Sequence, residues 1–131
     1  MKILHITPSL NPEWGGVPKV VIGMAKALVE KGVKVSILTT AEKGKERKSI
    51  RSKSVTAQIF ERGSFSRFWT AYSPGVTRVM VKEIENCDLV HIHELWHYLH
   101  YVGYKTAMDR LTCSPNSKWT ICDTSSIPWN V

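Results

Sequence analysis

The sequence predicts a three-layer α/β sandwich built on a mainly parallel sheet. Two observations predict it: short β-branched runs recur along the chain, and the stretches between them carry apolar residues at helical spacing. A strand, an amphipathic helix and a second strand in succession favour a right-handed crossover, and with it parallel pairing. At 131 residues and 43% hydrophobic content, the chain has room for one domain with a real core. No internal repeat stands out.

The first strand is predicted over residues 2–7, Lys2-Ile3-Leu4-His5-Ile6-Thr7, closed by Pro8. A loop then leads through Trp14-Gly15-Gly16-Val17-Pro18 into a helix over residues 17–31. Pro18 suits the first turn, Val17, Val21, Met24 and Leu28 fall on one face, and Gly32 follows as the stop. Residues 33–39 form a β-branched strand, and Val55 to Phe60 a further one. Pro74 opens a helix over residues 74–85 with Val76, Val79, Met80 and Ile84 inward. Residues 88–92 are the next strand, followed by a helix from His97 to Met108. Beyond Asp109 the periodicity fades, and Leu111 to Ser117 reads as turn. Trp119-Thr120-Ile121-Cys122 supplies one short edge or closing strand. The Rossmann-like unit is therefore expected over residues 1–108, with a divergent tail over 109–131.

Composition narrows the function classes. No run approaches the ~18 apolar residues that span a bilayer, and the N-terminus lacks a secretory layout. A cytoplasmic location is expected. Cys87, Cys113 and Cys122 are odd in number and lack CxxC spacing, so reduced thiols are expected, with Cys87 packed in the core. The formal net charge is +7, and Glu42 to Lys53 sets six basic residues against two acidic ones. That run is a solvated loop or a surface for a negative partner, membrane or polyphosphate. It lacks interleaved aromatics, so nucleic acid is not expected as a partner.

Three places can carry chemistry. Gly15 and Gly16 form either a tight turn or a site of close backbone approach to a phosphate or substrate. They match neither GxGxxG nor a P-loop. Trp14 beside them is a loop aromatic or a wall against the C–H face of a sugar ring. In Asp88-Leu89-Val90-His91-Ile92-His93-Glu94-Leu95-Trp96-His97, His91 and His93 share one side of a strand, and Glu94 falls at its C-terminal mouth. His91 reads as a core histidine, and His93 and Glu94 as hydrogen-bonding groups for a polar ligand. His5 reads as structural. HxHE is not HExxH on a helix, so no metal is expected. His97 and His100 lie one helical turn apart without further support as ligands. Arg62, Phe65, Arg67, Phe68 and Trp69 either cover the core and cleft or meet a membrane, rings to lipid and guanidinium groups to headgroups.

Taken together, the opening strand with Pro8, Trp14-Gly15-Gly16-Val17, Ser73-Pro74-Gly75 and Asp88 to Trp96 resemble the N-terminal domain of the retaining glycosyltransferases of family 4. The resemblance runs from Met1 to about Met108. It implies one half of the two-Rossmann-domain GT-B architecture, the acceptor-binding half. A separate C-terminal domain would bind a nucleotide sugar, usually a UDP- or GDP-hexose, and its absence from these 131 residues is expected. Gly15 and Gly16 would border the donor phosphates, and His93, Glu94 and Trp96 would line the cleft, with Trp14 packing on a sugar. The resemblance implies no protein nucleophile, no metal and no cofactor beyond the donor substrate. The acceptor would be a glycan or a lipid-linked molecule in polysaccharide biosynthesis, met at an anionic membrane surface if the aromatic stretch serves that role. Where the family carries Pro-His-Gly or Pro-Arg-Gly, the approximately corresponding stretch here reads Cys122-Asp123-Thr124-Ser125-Ser126; with half a cleft supplying neither phosphate stabilisation nor two-domain positioning, turnover by residues 1–131 alone is expected to be negligible. The alternative is a non-catalytic Rossmann-like binding or structural module that self-associates.

Overall fold

The computed structural model describes residues 1–42, 55–113 and 121–122. The basic run from Lys43 to Lys53 and the segment Asp123 to Ser126 lie outside the described residues. Five parallel strands form one sheet in the order β3-β2-β1-β4-β5. They are β1 (Lys2–Ile6), β2 (Lys34–Ala41), β3 (Val55–Glu61), β4 (Leu89–Ile92) and β5 (Ile121–Cys122), and the helices are α1 (Gly16–Glu30), α2 (Val76–Glu85) and α3 (Tyr98–Cys113). The α/β Rossmann-like expectation holds.

Strand alternation sends side chains to two helical layers. Val35 and Ile37 of β2 and Val55 of β3 pack on Val21 and Ala25 of α1. Leu4, Ile6, Leu38 and Val90 face the other way, onto Val76, Met80 and Ile84 of α2 and Leu99 and Val102 of α3. Gly103 permits the close seat of α3, because a Cβ there would stand 2.9 Å from Ile6 Cδ1. Lys2 ties the sheet to the end of α2, its ammonium 3.0 Å from Glu83 and its backbone N–H donating to Asp88 at 2.7 Å.

Chain order and spatial order diverge between β1 and β4. The connection after β1 runs through α1 to β2 on one side, and the chain returns to β4 only after β3 and α2. This is the topological switch point, where α/β sheets open a crevice beyond their strand ends.

Two helix boundaries differ from expectation. α2 begins at Val76 rather than Pro74, because Gly75 takes a left-handed conformation at φ 86° and starts the helix after it. α3 runs to Cys113 rather than Met108, across the expected boundary at 108/109. Leu111, Thr112 and Cys113 therefore close a helix instead of forming a turn, since no Pro or Gly interrupts the chain before Pro115. The expected closing strand is present as Ile121–Cys122, paired parallel with Val90 and His91.

Candidate functional site

The crevice at the C-terminal ends of β1, β3 and β4 gathers most of the polar chemistry. After β1, Thr7 still bonds across to Leu38 O at 3.1 Å, and Thr40 Oγ1 donates to Pro8 O at 2.7 Å. Asn11 caps a short 3-10 turn over Pro12–Trp14 by accepting from Glu13 N. Gly15 then takes φ 93°, ψ −145°, a conformation that requires glycine, and α1 begins without a side-chain cap. Nothing lies within 4 Å of a Cβ built at Gly15 or Gly16, so the helix start faces open space.

Arg62, immediately after β3, reaches into this crevice. Its Nε donates to Thr40 Oγ1 at 3.0 Å and its Nη2 to Pro8 O at 3.1 Å, while the guanidinium lies 4.3 Å from the Trp14 ring centroid. Glu42 stands 3.7 Å away, and only 9% of the Arg62 side chain is exposed. Burial lowers the Arg62 pKa and Glu42 opposes the shift. The stacked contact adds a cation–π attraction that grows as water is excluded. Arg62 therefore does not belong with the membrane-contact candidates: its hydrogen bonds to the β1 and β2 ends draw it inward.

On the far side of Trp14, its ring centroid stands 6.3 Å from that of His97, whose Nε2 lies 3.3 Å from Glu94 Oε2. Glu94 and Trp96 hold left-handed backbones at φ 66° and 69°, a conformation costly for residues with a Cβ. Among the described residues, buried His97 Nδ1 has no hydrogen-bond partner, and buried Glu94 Oε2 has the 3.3 Å contact to His97 Nε2 but no further one. Burial lowers the His97 pKa, with Glu94 opposing and Arg62 and His100 reinforcing the shift. Glu94, His97, Trp14 and Arg62 thus line up as a carboxylate, an imidazole, an aromatic face and a cation. Such a set can receive sugar hydroxyls on its polar atoms and a ring face on the indole. Trp96 is not brought into the group; it is 88% exposed on its turn.

His93 extends the β1–β4 ladder through its N–H to Ile6 O at 2.8 Å. Its side chain joins His5 and His91, with Nε2 2.8 Å from His5 Nδ1 and its ring centroid 4.1 Å from that of His91. Burial, then the neighbouring imidazoles, push His5 down to about 4 and His93 to about 3. Burial lowers His91 as well. All three are neutral near neutral pH. His5 was expected to be structural on its own; it is a full member of the cluster.

The other membrane-contact candidates are exposed: Phe68 by 83%, Phe65 by 53%, Trp69 by 37%, and Arg67 beside them. Trp69 continues onto α3 through Tyr98 and Tyr101, each at 5.3 Å between centroids. Cys87 is buried in the core, which pushes its thiol up to about 12 and leaves it inert.

Sequence reading missed the roles of Arg62 and Thr40, which depend on where β2 and β3 end. It also missed His5, whose signal was available once β1 and β4 are paired. No curated protein matches the chain. A family model does: residues 14–119 match Glycosyltransferase Family 4.

Proposed function

The chain belongs to glycosyltransferase family 4, and from that premise we propose that it is the acceptor-side half of a retaining hexosyltransferase. A nucleotide-activated sugar, UDP- or GDP-hexose, is the donor, and a glycan or lipid-linked hydroxyl is the acceptor. The reaction requires a complementary donor-binding domain closing over the crevice. The observation that carries this reading is the Glu94–His97–Trp14–Arg62 group at the switch point, where buried His97 Nδ1 has no hydrogen-bond partner among the described residues. A buried acceptor without a hydrogen bond is costly in isolation and is compensated when a ligand supplies the donor.

In this mechanism Glu94 accepts from an acceptor hydroxyl and Trp14 packs against the sugar face. The open start of α1 at Gly15 and Gly16 lets backbone amides approach the donor phosphate. Charge stabilisation at the leaving phosphate and alignment of donor with acceptor dominate such a transfer, and both need two facing domains. The exposed Phe65, Phe68 and Trp69 beside Arg67 favour an acceptor presented at an anionic membrane surface.

Acceptor binding tests the reading. The chain is titrated with glycan and lipid-linked acceptors, and with UDP- and GDP-hexoses, by ligand-observed NMR. An acceptor class is expected to bind more tightly than the nucleotide sugars, with Trp14→Ala and Glu94→Gln each costing about 1–3 kcal/mol. Tight donor binding without acceptor binding would assign the half-site to the other substrate.

A further inference from the structure

The histidine cluster on the α1 face of the sheet takes no part in the proposed transfer. Parallel pairing sets His5 of β1 directly opposite His91 of β4. The period of two then puts His93 on the same side, one step toward the crevice. The three rings lie together, with centroids 4.1 to 5.3 Å apart. One nitrogen from each falls within 4.8 Å of the others. His5 is fully buried, and its Nε2 has no hydrogen-bond partner among the described residues.

As a purely structural feature this is an expensive arrangement. Among the described residues the three imidazoles share one side-chain hydrogen bond, between His5 and His93, where apolar side chains of equal size would leave no polar atom stranded. A metal ion would instead satisfy the nitrogens that face one another across the cluster, His5 Nδ1 and His93 Nε2 among them. Bound at about 2.0–2.1 Å, imidazole nitrogens around a tetrahedral ion stand about 3.3 Å apart. The 2.8 Å His5–His93 separation and the 4.8 Å limit of the cluster bracket that value.

We propose that His5, His91 and His93 form a binding site for a divalent first-row transition metal such as zinc. Three nitrogen donors and no carboxylate select a borderline cation over magnesium or calcium, which demand oxygen. The proton between His5 and His93 shifts to the other nitrogen of its ring when the ion takes its place, so binding needs no co-reactant. A three-histidine set leaves a further coordination position for water or an anion from the crevice.

The test uses the 131-residue chain without an affinity tag, stripped with chelator and titrated with Zn²⁺ by calorimetry and with Co²⁺ by visible absorption. One equivalent is expected to bind. His91→Gln and His93→Gln should each weaken binding about tenfold or more, and His100→Gln should leave it unchanged. Imidazole NMR of the wild-type chain gives a readout independent of variant folding. Of the five histidines, only His5, His91 and His93 should shift with one equivalent of Zn²⁺. No saturable binding of one equivalent, binding that persists in folded His91→Gln, or shifts at His97 and His100 alone would overturn the proposal.

Discussion

Arg62 and His5 owe their roles to neighbours distant in sequence. Arg62 lies near Trp14 only because β3 and the loop after β1 end at the same edge of the sheet, and its sequence neighbours Phe65, Arg67 and Phe68 suggested a basic surface instead. His5 meets His91 through strand register, which no local spacing encodes. Trp14, Gly15, Gly16, His93 and Glu94 were legible in position rather than in role, because each lies next to a recognisable strand end or helix start; the His93 ring joins His5 and His91. Trp96 was not, since its left-handed backbone turns it out of the group. The histidine cluster also sets an acid sensitivity. His5 and His93 titrate at about 4 and about 3 in the folded chain, below the ordinary value of about 6.5. The unfolded chain therefore takes up protons first on acidification. Stability from this source is full above about pH 6.5 and is lost as pH falls toward 4, by up to about 1.4 kcal/mol per pH unit for each histidine. Urea denaturation in chelator-containing buffer should show that fall, reduced in His93→Gln. A flat profile across the same range contradicts the burial of neutral rings.

At the scale of elements, the strongly periodic segments read correctly. The stripe Val17, Val21, Leu28 identified α1, and β-branched runs identified β1 and β2, because one face of each must be buried. The end of α3 did not read, since its Tyr- and His-rich start gives a weak apolar stripe and only Pro115 marks a stop. That helix carries Tyr101 and Tyr104 to the surface, and Tyr101 meets Trp69, just after the short 3-10 turn over Ser64–Arg67. The proposed membrane contact of this aromatic surface has a direct consequence. Co-sedimentation with anionic vesicles should exceed that with neutral ones, weaken as salt screens the basic residues, and drop several-fold in Phe68→Ser and Arg67→Glu. Equal binding to neutral and anionic vesicles at low salt would remove the membrane from the acceptor assignment.

For the molecule as a whole, the sheet carries two unequal jobs. Its α2–α3 face is closed by Leu4, Ile6, Met80, Ile84 and Leu99, each nearly inaccessible to solvent, and supplies rigidity. Met80→Ala should cost about 2–5 kcal/mol in chemical denaturation, whereas Val20→Ala on the exposed side of α1 should stay within about 0.5 kcal/mol. Similar costs for both would mean that the core is not centred on α2 and α3. The other job is the crevice, to which we assign the proposed acceptor chemistry. The most direct measurement is transfer from labelled UDP- and GDP-hexoses to glycan and lipid-linked acceptors, by the chain alone and by the chain joined to a family 4 donor-binding domain. Transfer is expected only from the joined form, and Glu94→Gln should lower it at least tenfold. Efficient donor-dependent transfer by residues 1–131 alone would contradict the half-site assignment.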